Sequence, residues 1–138
     1  MFFKDAGELK QVLGGFFEKA TLDKEFAKNF ARSKILIRFN YSEPELSITL
    51  DMTDGENIFV TYNDREKKPE VDMDMKADTA HKFWLGKLNL TMAITRKLMV
   101  VKGSVPRVLS FIPVLQPTYQ MYRDYLKEIG REDLIEVD

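Results

Sequence analysis

Leu46-Ser47-Ile48-Thr49-Leu50-Asp51-Met52-Thr53-Asp54-Gly55-Glu56-Asn57-Ile58-Phe59-Val60-Thr61-Tyr62 is the stretch on which the fold class turns. Leu46, Ile48, Leu50 and Met52 alternate with Ser47, Thr49 and Asp51, and Ile58, Val60 and Tyr62 resume the rhythm after Thr53-Asp54-Gly55-Glu56. A two-residue period places successive side chains on opposite faces of a strand, and an Asp-Gly between two such runs signals a hairpin. Upstream, Ile35, Ile37, Phe39 and Tyr41 share one face while Arg38 and Asn40 take the other. Downstream of a charged loop at residues 63–69, Val71, Met73 and Met75 alternate with Asp72, Asp74 and Lys76. The four runs predict a sheet with one apolar face and one wet face.

Outside these strands the period changes to that of a helix. Leu9, Val12, Leu13, Phe16, Phe17 and Ala20 predict an amphipathic helix over residues 6–20, in spite of Gly14 and Gly15 at about 1 kcal/mol each. Thr21 is a candidate cap for a second helix with Leu22, Phe26 and Phe30 facing inward. Asp78 is a candidate cap for a helix through Gly86, and Asn89 or Thr91 starts a brief helical turn. Residues 98–101 read as a fifth strand, apolar on both faces. Pro106 suits a helix start, with Val108, Leu109, Phe111 and Ile112 as its stripe and Pro113 and Pro117 as interruptions. Tyr119, Tyr122, Leu126 and Ile129 define a last helix that Gly130 stops. Helices, then strands, then helices again argue for an α+β protein, with residues 1–138 expected to form one domain.

Composition narrows the function. A chain of 138 residues without cysteine has no disulfide framework and no thiolate chemistry, and its one histidine, His81, leaves little for a zinc site or a triad. Lys and Arg number 21 against 22 Asp and Glu, interspersed in sign, which disfavours a nucleic-acid partner. Apolar runs fall far short of the ~18–20 residues of a membrane span. Neither the start nor the end reads as a targeting signal, so a cytoplasmic, prokaryotic protein is expected.

The candidate constellations are weak. Asp72 and Asp74 point the same way from one strand, where a shared cation competes with the commoner role of solvated charge. Asp78 and His81, three apart, could form a general base. The plainer reading makes the first a cap and the second a surface residue. No cofactor is expected, and no metal. The internal methionines instead suit an adaptable apolar pocket, since unbranched thioethers fit irregular shapes.

Ala77-Asp78 opening a helix after a strand, Gly86-Lys87-Leu88, Ala93 ten residues before Gly103, and the Asp54-Gly55 hairpin resemble the sterol carrier protein type 2 family over roughly residues 35–110. That family's usual turn glycine before the last strand is here Lys97, and two usually charged outward positions are Leu98 and Val100. A homodimer, a protein partner or the C-terminal segment would hide those apolar side chains.

The resemblance implies a five-stranded mixed, mostly antiparallel sheet covered on one side by helices, with an apolar tunnel for sterols, fatty acids or acyl-CoA. It puts Leu85, Leu88, Met92, Ala93, Met99 and Val101 near the tunnel, and helical periodicity adds Phe16, Phe17, Leu109 and Ile112. Non-catalytic lipid binding or transfer is the leading expectation. An accessory module presenting a lipophilic intermediate to partner enzymes, as in quinone synthesis, is the alternative. A small hydrolase or isomerase using Asp78 and His81 ranks last.

Overall fold

The computed structural model describes residues 1–137; Asp138, the last residue of the expected 1–138 domain and of the chain end expected to carry no targeting signal, lies outside them. Strands β1 (Leu36–Ser42), β2 (Leu46–Asp51), β3 (Phe59–Tyr62), β4 (Val71–Lys76) and β5 (Met99–Lys102) form one sheet in the order β3-β2-β1-β4-β5. β1 and β4 run parallel and every other neighbouring pair is antiparallel. The register aligns Ile48, Phe39, Met73 and Val101 across one face, and Leu50, Ile37 and Val71 beside them. That apolar row is what the alternation demanded.

The opposite face is less wet than its sequence suggests. Ser47 and Thr49 are only 2% exposed, a correction to the expectation of one solvated face. The connection from β3 to β4 must cross from one sheet edge to the far side of β1. It does so over this face, where Arg65 donates to Asn40, Arg38 donates to the carbonyl of residue 67, and Lys67 pairs with Asp51. Beneath it the Ser47 and Thr49 hydroxyls and that of Thr61, opposite Thr49, find no partner among the described residues. Asp72 and Asp74 also lie on this face, but as partnered charges. Arg38 clasps Asp72 at 2.7 and 3.2 Å, Lys102 pairs with Asp74 at 2.9 Å, and Asn40 donates to both. Burial opposes ionisation of Asp72, yet Arg38 and Asn40 outweigh it and hold the carboxyl below its ordinary value.

Helices cover the apolar face. The N-terminal segment runs as α1 (Ala6–Leu9), a π-helical turn (Lys10–Gly14) and α2 (Gly15–Ala20). α3 (Lys24–Ala31) is capped by Asp23, not Thr21, and Leu22 is 77% exposed because it precedes that cap instead of lying on the buried stripe. α4 (Ala77–Trp84) begins one residue before Asp78, so Asp78 is a first-turn residue and not the cap. Its carboxylate accepts from the Phe2 N–H at 2.9 Å. α5 (Leu90–Thr95) is capped by Asn89, α6 (Val105–Leu109) by Ser104, and α7 spans Ile112–Glu128. The break between α6 and α7 falls at Ser110 and Phe111 rather than at a proline. Pro113 sits in the first turn of α7, where no N–H is needed, and Pro117 is carried inside the helix. Burial of Leu115, Thr118, Tyr122 and Leu126 along one side of α7 overrides the bond that Pro117 cannot make.

Candidate apolar ligand cavity

Between the sheet's apolar face and the helices lies a void of about 60 Å³. The sheet supplies its floor with Ile37, Phe39, Tyr41, Leu50, Met73, Met75 and Met99. The helices roof it with Phe30 of α3, Phe83 and Trp84 of α4, Leu90 of α5, Val108 of α6, and Phe111 and Leu115 around the start of α7. Among the described residues no charged side chain enters this lining. Tyr41 is its one ionisable group, and burial pushes the phenol far above its ordinary value, so it stays neutral. Such a surface offers dispersion and the hydrophobic effect and nothing for acid–base chemistry.

A second void of about 20 Å³ lies beside the first. Phe16, Phe17, Phe26, Ile58 and Thr118 help to line it, and Phe30, Leu50 and Trp84 border both. An apolar cavity near 150 Å³ is what takes up a benzene. The larger void, at about 60 Å³, therefore accepts an alkyl chain only by yielding. Three of its walls are methionines, Met73, Met75 and Met99, whose flexible thioethers repack readily.

The family model described as the SCP-2 sterol transfer family matches residues 17–116. The chain belongs to this family. Among solved structures it resembles apo sterol carrier protein 2 from Yarrowia lipolytica at a TM-score of 0.64, with 17% identity over 86% of this chain and 98% of that one. Sterol carrier protein domain 2 of Helicoverpa armigera superimposes at 0.62, with 19% identity over 86% of this chain and 90% of that one. UbiJ-SCP2, a ubiquinone synthesis protein, does so at 0.55, with 16% identity over 74% and 88% of the two chains. At these identities the likeness is one of fold. No curated protein matches the sequence.

In this SCP-2 chain the residues singled out by sequence are scattered about the cavity. Met99 lines the larger void, and Phe16 and Phe17 line the smaller. Leu85 and Ala93 are buried without reaching either, and Leu88, Val101 and Leu109 are half-buried against the core. Met92 and Ile112 are exposed, at 39% and 45%. On α6 and α7 the phase slipped by one residue, so that Val108 and Phe111 take the inward places assigned to Leu109 and Ile112. The spacing Val108, Phe111, Leu115, Thr118, Tyr122 is the helical signal that separates the two sets.

His81 is also placed differently from the surface position expected of it. It is fully buried, with its ring within 5.1 and 5.5 Å of those of Phe2 and Phe3. Its Nε2–H donates to the Leu134 carbonyl at 2.7 Å, so Nδ1 accepts from the Tyr122 hydroxyl at 2.7 Å. Both ring nitrogens are thereby engaged away from the cavity, and Asp78 bonds neither. The pair joins α4 to α7 and the C-terminal turn. Among the described residues no cluster of three or more acidic or imidazole groups is arranged to hold a metal.

Proposed function

We propose that this chain is a non-catalytic carrier of a lipid-like molecule with an alkyl tail, held between the sheet and the helices. The observation that carries the reading is the uncharged, nearly apolar void, with three methionines in its floor, in a member of the SCP-2 sterol transfer family. Each methylene withdrawn from water contributes about 0.8 kcal/mol, so a dozen carbons supply about 10 kcal/mol before the costs of ordering. No polar anchor is then required for micromolar affinity. A carboxylate head would stay in water, where Lys87, Arg96 and Lys97 flank α5 as exposed cations.

Trp84, the only tryptophan, borders both voids and reports on their filling. Titration of the delipidated protein with palmitate should shift or quench its fluorescence saturably, and solvent extraction of the freshly purified protein should release a lipid detectable by mass spectrometry. No spectral change together with an empty extract would refute the proposal.

A second reading is that the protein presents a lipophilic intermediate to partner enzymes. The fold likeness to UbiJ-SCP2 and the exposure of Leu98 and Val100 at 43% and 44% favour it. Affinity capture that recovers one synthetic enzyme, lost on Leu98→Lys and Val100→Lys, separates this reading from free transport.

A further inference from the structure

We infer that Phe30 is a movable partition between two halves of one channel, and that its displacement sets how long an alkyl tail the protein accepts; this rests on the carrier reading above. The voids of about 60 and 20 Å³ meet at Phe30, Leu50 and Trp84 alone. These residues are held very unequally. Leu50 lies in a strand paired on both sides, opposite Ile37 and Val60. The Trp84 ring is braced edge-on by Phe16, Phe17 and Phe83 at centroid distances of 5.7, 5.4 and 5.0 Å. The Leu50 backbone is fixed by pairing on both sides, and moving the Trp84 ring would disturb three aromatic contacts.

Phe30 has a different setting. It is the penultimate residue of α3, a helix of eight residues. Its aromatic neighbours are Phe26, half-buried on the same helix at 5.2 Å, and Phe111, stacked at 4.9 Å in the break between α6 and α7. Phe30 is 8% exposed, close to Trp84 at 7% and Leu50 at 6%, so what sets it apart is its seat at the end of a short helix. A swing outward breaks no hydrogen bond and leaves the sheet intact. With the ring aside, the larger void connects past Leu50 to the smaller one, toward Phe16 and Ile58. A short tail is accommodated by repacking of Met73, Met75 and Met99 with Phe30 in place. A longer one must displace it, so each further carbon gains less until the ring has moved.

Isothermal titration calorimetry of the delipidated full chain with saturated fatty acids from octanoate to stearate tests this. In the wild-type protein the gain of about fourfold per methylene should break off at an intermediate length. Phe30→Ala should move the break to longer acids and tighten stearate at least about tenfold, and Phe30→Leu should do the same more weakly while keeping the packing of α3. Phe30→Trp should move the break to shorter acids. Binding by all proteins with one common break point overturns the partition and leaves the carrier reading standing. Binding of no acid by any of them overturns both.

Discussion

His81 shows how a residue's neighbours decide its chemistry. Burial depresses its pKa below the ordinary 6.5; the Leu134 carbonyl and Asp78 oppose that fall, while Lys87 and Arg131 reinforce it. On acidification the unfolded chain therefore takes up a proton before the folded one does. Stability is full above the unfolded value and declines as pH drops through 6.5 toward the folded value. Urea midpoints should fall between about pH 7.5 and 5 in the wild type, and His81→Phe should flatten that part of the profile; an unchanged slope in the variant would show that other groups produce it. Lys97 is a second case. It adopts φ 60° at an exposed turn, the left-handed region that favours glycine. Left-handed backbone costs an ordinary residue about 1–2 kcal/mol, part of which glycine returns through unfolded-state entropy. Lys97→Gly is expected to stabilise by about 0.5–1 kcal/mol in urea denaturation.

At the scale of elements, the Gly14-Gly15 pair has an explanation that helix propensity alone does not supply. The π turn and the start of α2 bring two tyrosines against the helix backbone. Tyr62 Oη lies 2.5 Å from where a Gly14 Cβ would stand, and Tyr125 Oη fills the corresponding place at Gly15 while donating to the Gln11 carbonyl at 2.9 Å. Ordinary propensity predicts that Gly15→Ala stabilises by about 1 kcal/mol. The collision with Tyr125 predicts the reverse, a loss of about 1–3 kcal/mol by overpacking and a broken bond. Tyr125→Phe in the Gly15→Ala background should recover part of it, which urea titration of the four proteins would reveal.

The strands and some helix limits were legible in the sequence because their cause is local, whereas the caps expected at Thr21 and Asp78 and the breaks expected at Pro113 and Pro117 were not found. The alternation of residues 35–76 and the cap at Asn89 act over a few positions. Burial of Ser47 and Thr49 depends on a loop that crosses the sheet, and that of His81 on partners 41 and 53 residues away. No local pattern carries such information. The apolar face of the sheet was legible, but of the residues singled out for the cavity only Met99 lines the larger void, and with apolar side chains at Val108, Leu109, Phe111 and Ile112 the helix phase was ambiguous.

For the molecule as a whole, five strands and their covering helices enclose an apolar interior that is nearly, though not fully, filled. Such an interior accepts a guest if its walls move, and the walls here are methionines on the sheet and phenylalanines on short helices. The most direct measurement is the nuclear Overhauser contact between a bound fatty acid and methionine methyls in protein labelled at those groups. The account predicts contacts from the acyl chain to Met73, Met75 and Met99, which line the void, and none to the exposed Met92. Contacts confined to Met92, with the three interior methyls silent at saturating fatty acid, would contradict it.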